Sequence, residues 1–326
     1  MNPYALIKLL SDGKFRTGTE LGQMLKVSRT AVWKQIQKIN ELSLGVVTDK
    51  QLGYRLEQPL DLLDEEYLAG QLSDKDLSFN WQLEVHSALD STNSFLRKEL
   101  SEHSKSPRVA LAEMQTEGKG RRGRSWFSPF GTSISCSLAC QYPAAAQSLQ
   151  GLSLAVAVKL IESFAAIGVT GLSVKWPNDI YYQDKKLAGI LIEVSGDLAG
   201  PCDLVVGFGI NVYRQQQLLP DYVTHDLAYL ADIATKQFSR TQLAAECTYR
   251  VASLLESYSE SGFSPYVDAW NEHHAWQGLL VDVHEGARVS QVVLKQCNKQ
   301  GELEAIDTSG KKRYLNAGEI SLRKPV

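Results

Sequence analysis

Cysteine is scarce in this sequence, and no two of its five cysteines have C-x-x-C spacing: Cys136, Cys140, Cys202, Cys247 and Cys297. An odd number of scattered thiols argues against a disulfide framework and against a zinc site built from thiolates. Long apolar runs are also lacking, because Lys159 and Glu162 interrupt the most apolar stretch, "GLSLAVAVKLIESFAAIGV". The N-terminal segment lacks the basic start, apolar centre and small-residue cleavage site of a signal peptide. These absences predict a protein of the reducing cytoplasm with no membrane-spanning segment.

A strong net charge is absent too, but the charges are unevenly distributed. The 326 residues carry a formal net charge of -3, whereas residues 1–60 hold nine Lys and Arg residues against five Asp and Glu residues. A chain of this length exceeds what one core usually organises, so we expect two or three domains. A basic end on an acidic remainder predicts a small nucleic-acid-binding module attached to a larger domain.

The N-terminal segment predicts three short helices followed by a hairpin. "NPYALIKLL" is typical of a first helix, and "TGTELGQMLKV" of a second, with Thr17 and Glu20 at capping-box spacing. A third helix, "SRTAVWKQIQKINEL", starts at Ser28, and the alternation in "GVVTDKQLGYRL" predicts two paired strands. This order indicates a winged helix-turn-helix.

The third predicted helix separates apolar from polar side chains. Its apolar residues recur on one face, at Val32, Ile36 and Ile39. The rest of the helix surface is largely polar and basic. The residues that we expect to contact DNA are Ser28, Arg29, Thr30, Lys34 and Lys38. The first turn of a recognition helix contacts base edges, and the lysines further along can reach phosphates. The alternative is a three-helix cap that only packs on its neighbour, which the polar, basic face disfavours.

The remainder of the chain changes pattern once. After a linker in "EQPLDLLDEE", helix-like "LAVAVKLIESF" and strand-like "LSVKW", "LAGILIEVSG" and "DLVVGFGINV" predict a mixed α and β domain. From residue 271, short alternating runs between Asn, Gly and Ser predict a small barrel of hairpins. The predicted domains are therefore residues 1–62, 63–270 and 271–326.

The segment "GKGRRGRSWFSPFG" at 118–131 places four cations on a glycine-rich backbone, which predicts an anion-binding loop. Its glycines spell G-x-G-x-x-G, but Pro129 and Gly131 prevent the helix that a dinucleotide-binding motif needs. No Lys-Ser/Thr pair follows the glycines, so a Walker loop is excluded. Trp126 and Phe127 offer a stacking surface for a planar base, which disfavours a solvated charge run or a second DNA contact.

Seven motifs in chain order carry a resemblance to a known family. They are D-S-T-N at 90–93, A-E-x-Q at 112–115, G-x-G-R-R-G-R-x-W at 118–126, K-W-P-N-D at 175–179, K-L-A-G-I-L at 186–191, G-x-G-I-N at 207–211 and G-E-I-S-L-R at 318–323. With these motifs the sequence resembles the biotin protein ligases, specifically the bifunctional bacterial type that is also the biotin operon repressor. The resemblance covers essentially the whole chain.

This resemblance implies a multidomain α+β fold: a winged helix-turn-helix, a central α/β domain related to class II aminoacyl-tRNA synthetases, and a C-terminal SH3-like β-barrel. It implies that the protein uses ATP and Mg²⁺ to form biotinyl-5'-AMP and transfers biotin to a lysine of the biotin carboxyl carrier protein of acetyl-CoA carboxylase. It also implies an adenylate-bound homodimer that binds the biotin operator and represses the operon.

The same resemblance assigns site residues. Lys175 and Arg121 are expected to be catalytic, with Lys175 near the biotin carboxylate and the α-phosphate. The expected biotin contacts are Ser91, Thr92, Asn93, Gln115, Lys119, Gly120, Arg121 and Lys175, and the expected adenylate contacts are Gly118, Arg122, Trp126 and Asn211. Core packing stays open for Trp126, and a turn position for Asn211. Lys119 stands where the family commonly has Arg, so it keeps the charge but loses the bidentate fork.

Two rival functions are a lipoate or octanoyl ligase on the same fold and a ligand-sensing DNA-binding protein without catalysis. The complete basic loop with K-W-P-N-D disfavours the first, and the presence of Arg121 and Lys175 disfavours the second. A monofunctional ligase with a vestigial DNA-binding domain stays open.

The adjacent His273 and His274 diverge in regular structure, so we expect no metal site there. The cysteines at 136 and 140 are expected to be buried thiols.

Overall fold

The computed structural model describes residues 3–42, 44–102, 106–196, 200–214, 220–221, 223, 226–286, 288–316 and 320–323. Residues 318 and 319 of the last motif therefore lie outside the described residues. The strands of the described segments form three sheets of two, seven and five strands.

The N-terminal segment folds into the predicted helices and hairpin: α1 (Tyr4–Leu10), α2 (Gly18–Leu25), α3 (Arg29–Glu41), β1 (Val46–Asp49) and β2 (Gly53–Leu56). The predicted capping box is present at the start of α2. Thr17 Oγ1 accepts the Glu20 N–H, and the Glu20 carboxylate accepts the Thr17 N–H at 2.7 Å. Ser28 Oγ accepts the Ala31 N–H at the start of α3. These side chains satisfy N–H groups that have no partner inside the helix.

The two predicted faces of α3 are confirmed. Val32, Ile36 and Ile39 are buried in an apolar cluster with residues of α1 and β2. The polar residues of α3 expected to contact DNA are exposed: Arg29, Thr30, Lys34 and Lys38. One member of the N-terminal cluster comes from far along the chain, because Phe130 packs into it from the end of the basic loop.

The central sheet is mostly antiparallel and holds its helices on both faces. Its elements in chain order are α4 (Glu65–Ser73), β3 (Gln82–His86), α5 (Thr92–Glu102), β4 (Arg108–Ala112), β5 (Ser133–Tyr142), α6 (Leu152–Ala166), β6 (Leu172–Lys175), β7 (Asp179–Tyr182), β8 (Lys185–Gly196), β9 (Cys202–Asn211), α7 (Leu230–Ile233) and α8 (Arg240–Ser261). The strand order is β3-β4-β5-β9-β8-β7-β6, and only β3 and β4 are parallel. This is the predicted mixed α and β domain.

Successive residues of a strand point to opposite faces of the central sheet, which explains why helices pack on both faces. In β4, Val109 and Leu111 belong to the large apolar cluster that contains residues of α6 and α8, whereas Ala110 packs with Leu96 of α5 on the opposite face. Period-two alternation places successive side chains on opposite sides of a sheet. The segment Ala146–Ala166 is the one stretch of the described chain long and apolar enough to cross a membrane, and most of it is buried inside the protein.

The C-terminal segment follows α9 (Val267–Glu272) and consists of β10 (Leu280–Glu285), β11 (Arg288–Cys297), β12 (Leu303–Asp307), β13 (Lys312–Leu315) and β14 (Ile320–Arg323). These strands form an antiparallel sheet in the order β13-β12-β11-β10-β14. Its inward residues, such as Val281 and Leu294, join the large cluster of the central sheet. The C-terminal hairpins are thus packed against the central domain.

Candidate active site

A pocket of about 690 Å³ lies on the central sheet, between β8 and β9, the start of α5, the end of β6 and the basic loop at 118–131. It brings together sequence-predicted residues from distant segments: Ser91, Thr92, Asn93, Gln115, Lys119, Gly120, Arg121, Arg122, Trp126, Lys175 and Asn211. Gly118 lines a second pocket of about 500 Å³, which shares most of the basic loop with the first. The residues expected to contact DNA lie on α3, apart from this pocket.

A buried polar network forms the end of the pocket at α5. The Thr92 N–H donates to Gln115 Oε1 at 2.8 Å, and Gln115 Nε2 donates to Ser135 Oγ at 3.3 Å. Ser137 Oγ lies 2.7 Å from Thr92 Oγ1 and 2.6 Å from Asn93 Oδ1. The hydroxyls and amides of this network provide both donors and acceptors, as a ligand ring with N–H and C=O groups requires.

Two glycines of the G-x-G-I-N motif are explained by what lies over them. A Cβ at Gly207 would lie 1.9 Å from Asn93 Oδ1, and a Cβ at Gly209 would lie 2.4 Å from Cε2 of Trp126. Residues 207, 209 and 211 alternate onto the pocket face of β9, whereas Phe208 and Ile210 face the apolar cluster. Glycine at 207 and 209 lets the Asn93 amide and the Trp126 ring lie directly against the backbone of β9.

The Trp126 ring therefore packs against strand backbone at two positions that have no side chain. Gly189 of β8 is the register partner of Gly209, and a Cβ at 189 would lie 3.2 Å from Cζ3 of the same ring. Lys186 Nζ lies 5.5 Å from the ring centroid. Trp126 belongs to none of the apolar clusters of the described residues, so its ring lines the pocket rather than the core.

The basic loop is closed by its own backbone. The Gly120 N–H donates to Arg124 O at 2.7 Å, and the Trp126 N–H donates to Gly118 O at 2.7 Å. Arg122 and Gly123 have φ values of 59° and 71°, a left-handed region that favours glycine. A short 3-10 turn at Arg121–Gly123 is followed by extended chain, which confirms that no helix follows the glycines.

Arg121 points from this loop into the pocket, where its Nη1 donates to Asn178 Oδ1 at 3.3 Å. Burial lowers the pKa of Arg121, and nearby Asp179 opposes that effect. The other three cations of the loop are exposed around it: Lys119, Arg122 and Arg124. The loop thus presents several positive charges at the mouth of the pocket.

Lys175 is the second central cation, at the end of β6. Its Nζ lies 4.4 Å from the ring centroid of Trp276 and 5.9 Å from that of Tyr181. Burial lowers the pKa of Lys175, and Asp179 opposes this. Asp179 itself forms an ion pair with Lys186 at 2.9 Å. Among the described residues Lys175 forms no ion pair, so its charge is available to an anionic ligand.

Several pocket residues were missed when residues were assigned from the motifs. Asp179 and Lys186 line the pocket and were signalled by the motifs that contain them, as was Arg323, which β14 brings in from the C-terminal sheet. Trp276, which contacts Lys175, had no sequence signal. The turn position that stayed open for Asn211 is excluded, because this buried residue ends β9 and its Nδ2 donates to Lys186 O at 3.1 Å.

The remaining sequence candidates have structural roles. All five cysteines are buried free thiols, and burial raises the pKa of Cys136 and of Cys140 to about 12. His273 Nδ1 lies 3.0 Å from Leu172 O, and burial lowers the pKa of His274 to about 4. In the described segments, no group of three or more His, Cys, Asp or Glu residues is arranged to hold a metal ion.

Known protein families match the N-terminal and central segments of the chain. The biotin/lipoate A/B protein ligase family matches residues 85–211, and an HTH domain family matches residues 4–55. The bifunctional ligase/repressor BirA proteins of Salmonella typhimurium and Escherichia coli are each 33% identical over 98% of this chain and 97% of their own length. The biotin protein ligase of Aquifex aeolicus, solved with biotin and ATP, is 27% identical over 75% of this chain and 99% of that one, with a TM-score of 0.63.

Proposed function

The chain belongs to the bifunctional ligase/repressor family of biotin protein ligases, and from this premise we propose how its residues perform the reaction. The enzyme forms biotinyl-5'-AMP from biotin and ATP, transfers the biotinyl group to a lysine of the biotin carboxyl carrier protein, and represses the biotin operon. The observation that carries the proposal is the pocket itself, in which Lys175 and Arg121 face one cavity lined by a polar network and an aromatic ring.

In the first step, a carboxylate oxygen of biotin attacks the α-phosphorus of ATP, and the bond from that phosphorus to the bridging oxygen of pyrophosphate breaks. Both reactants are anions, so their repulsion must be offset and the charge on the phosphorus oxygens stabilised. We assign this task to Lys175 and Arg121. Both are half-buried, and positioned cations in a water-poor site act more strongly than cations in water.

The polar network receives the ureido head of biotin. Ser91, Thr92 and Asn93 at the start of α5, together with Gln115, line this end of the pocket. Lys119 and Gly120 contribute from the loop, with a backbone role at 119 because its side chain is exposed. Gly118, Arg122, Trp126 and Asn211 form the adenylate side, with the indole of Trp126 as a stacking surface for the base.

In the second step, the lysine amine of the carrier protein attacks the carbonyl carbon of the mixed anhydride. The bond from that carbon to the phosphate oxygen breaks, AMP leaves with the electron pair, and the amine loses a proton. The cations that stabilised the first step now stabilise the AMP leaving group.

Mg²⁺ fits this pocket as a companion of the nucleotide phosphates. Asp179 is the one carboxylate that lines the described part of the pocket, and it already pairs with Lys186. Magnesium is commonly bound by one or two carboxylates together with substrate phosphates. Asp179 would be the protein ligand, and the ion would supply charge neutralisation on the phosphates.

The domain bounds 1–62, 63–270 and 271–326 complete the proposal. A separate apolar cluster at residues 6–56, with Phe130, supports the first domain, and the antiparallel sheets support a class II synthetase-related centre and an SH3-like C-terminal barrel. The proposal includes a cytoplasmic location and a homodimer when the adenylate is bound, as the resemblance to the family implies.

The catalytic part is tested by incubation with ATP, Mg²⁺ and either biotin or lipoate, followed by mass spectrometry of the bound adenylate. Biotinyl-adenylate is expected; lipoyl-adenylate alone would favour the rival ligase.

Lys175→Ala should slow pyrophosphate release about 100-fold, since a cation that faces developing charge is worth about 3 kcal/mol of barrier. Lys159→Ala is the matched control, because Lys159 also lies over a ring, that of Tyr266, but outside the pocket.

Retention of the adenylate depends on the loop. Glycines lower the cost of rearranging a loop, and anions supply the contacts that order it. We therefore expect Arg121→Ala to release biotinyl-adenylate faster than the wild type. Equal dissociation rates of biotinyl-adenylate from Arg121→Ala and the wild type would contradict a role of the loop in retaining the adenylate.

The repressor part requires that DNA binding depends on the adenylate. One winged module with few cations makes few phosphate contacts, so two copies on a two-fold-related operator are expected. A ligand that favours the dimer shifts the protein toward DNA, and acceptor protein that competes for the dimer surface shifts it back. Operator binding is measured without ligand, with biotin and ATP, and with added unbiotinylated carrier protein. Equal affinity in all three conditions would contradict the coupling, and no binding in any would indicate a vestigial DNA-binding domain.

A further inference from the structure

The segment that leaves α9 runs along the free edge of the central sheet, beside β6. The Val174 N–H donates to His273 O at 2.6 Å, and the Ala275 N–H donates to Val174 O at 3.0 Å. His273 Nδ1 also lies 3.0 Å from Leu172 O. These contacts hold residues 273–275 in parallel register with the strand that ends at Lys175.

The same segment is anchored to the C-terminal sheet on its other side. Asn271 Nδ2 donates to Cys297 O at 3.1 Å, and Asn271 Oδ1 accepts the Cys297 N–H at 2.8 Å. Trp270, one residue earlier, is fully buried. Two sheets therefore fix the path of the chain from 270 to 276.

This path places Trp276 against Lys175. The ammonium lies 4.4 Å from the Trp276 centroid, and the ring of Tyr181 lies on another side at 5.9 Å. Asp179, the carboxylate whose charge acts on Lys175, forms its ion pair with Lys186 instead. Aromatic rings thus lie around the Lys175 ammonium, and Asp179 acts on it through its charge without forming an ion pair with it in the described part of the chain.

We propose that Trp276 is a positioning residue for adenylate formation, whose ring holds the Lys175 ammonium over the pocket by a cation–π contact. The inference rests on the proposed role of Lys175. A ring attracts a cation without neutralising it. A carboxylate partner would instead repel the carboxylate of biotin and the phosphates of ATP, and would have to be displaced from the lysine.

The ring is tested by three substitutions at one position. Trp276→Phe keeps an aromatic face, whereas Trp276→Leu and Trp276→Met fill space without one. We expect the Leu and Met variants to lower kcat for pyrophosphate release on the order of tenfold at saturating biotin and ATP, with KM for biotin little changed. The Phe variant should retain most of the rate. The control is Tyr314→Leu, because Lys312 lies over that ring at 5.8 Å on the exposed face of the C-terminal sheet.

The pH profile separates positioning from packing. Loss of the ring with the site still filled destabilises the charged lysine, so the pKa of Lys175 should fall. The alkaline limb of the kcat profile should then shift to lower pH by up to about one unit in the Leu and Met variants, and not in the Phe variant. The charged or titratable groups around this lysine are unchanged in all variants. Asp179, Lys186, Arg124 and Arg323 act on it through their charge, Tyr181 lies beside it, and His273 and His274 belong to the segment beside β6.

The outcomes distinguish this inference from the function on which it rests. If the wild type forms no biotinyl-adenylate, the proposed function fails. If the wild type forms it, Lys175→Ala loses it, and the Leu and Met variants match the Phe variant in rate and pH profile, only the role of Trp276 fails. Thermal unfolding of each variant identifies losses due to misfolding, and the Met variant replaces the Leu variant if the latter is unstable.

Discussion

Gly209→Ala should disturb the adenylate side of the pocket without contacting a ligand. The new Cβ would lie 2.4 Å from Cε2 of Trp126, where ordinary contact begins at 3.4 Å, so the ring or the strand must shift by about 1 Å. The strand is fixed on both sides, because β9 pairs with β5 and β8 along its length. The ring is therefore expected to move.

The size of the effect follows from the cost of overpacking, about 1–3 kcal/mol. If this cost falls on the bound arrangement, the affinity for biotinyl-adenylate should drop by roughly 5- to 150-fold, since 1.4 kcal/mol corresponds to a factor of ten. Part of the cost also falls on folding. Both quantities need to be measured.

The assay is titration calorimetry of biotinyl-adenylate with thermal unfolding of the same samples. Gly70→Ala is the matched control, because Gly70 lies in α4 with nothing within 4 Å of the added Cβ. That change should leave affinity unchanged and raise stability slightly, by about 0.5–1 kcal/mol. An affinity of Gly209→Ala within twofold of the wild type would refute the argument that this glycine exists to seat Trp126.

Three further predictions concern stability and DNA binding. Arg240→Met should lower the free energy of unfolding in urea by about 3–5 kcal/mol, because it leaves the fully buried Glu113 without its cation; a loss below 1 kcal/mol would contradict this. Burial lowers the pKa of His274 from 6.5 to about 4, so the unfolded state binds the proton first and stability should fall as pH drops through that range. In His274→Gln the fall in urea midpoint between pH 6.5 and 4 should be smaller. Lys34→Ala should weaken operator binding and reduce the salt-dependence slope by about one, and an unchanged slope would remove Lys34 from the phosphate contacts.

The N-terminal module could be predicted because its signals are local. The capping box at Thr17 and the apolar spacing of Val32, Ile36 and Ile39 act within one or two helical turns. Pro129 and Gly131 likewise predicted that no helix follows the glycines of the basic loop, and none follows the short turn at Arg121–Gly123. In each case the residue and its partner lie close together in the chain.

The turn position that stayed open for Asn211 is excluded by contacts that are not local. Asparagine is common in turns, and the glycines beside it resemble turn residues. Their function depends instead on Trp126 and Asn93, which lie over the strand from other parts of the chain. No local pattern records that a side chain far along the chain covers a glycine.

The sequence by itself determined the N-terminal helices and hairpin and the mixed α and β character of the centre, since periodicity and caps report on a segment's own conformation and exposure. The motifs predicted which residues line the pocket. Only the tertiary structure decided that Trp126 rests on two glycines, that β14 brings Arg323 to the pocket, and that Trp276 lies over Lys175. These contacts join residues roughly 60 to 150 positions apart in the chain. They depend on strand order and register, which set distances between segments that the chain does not connect directly.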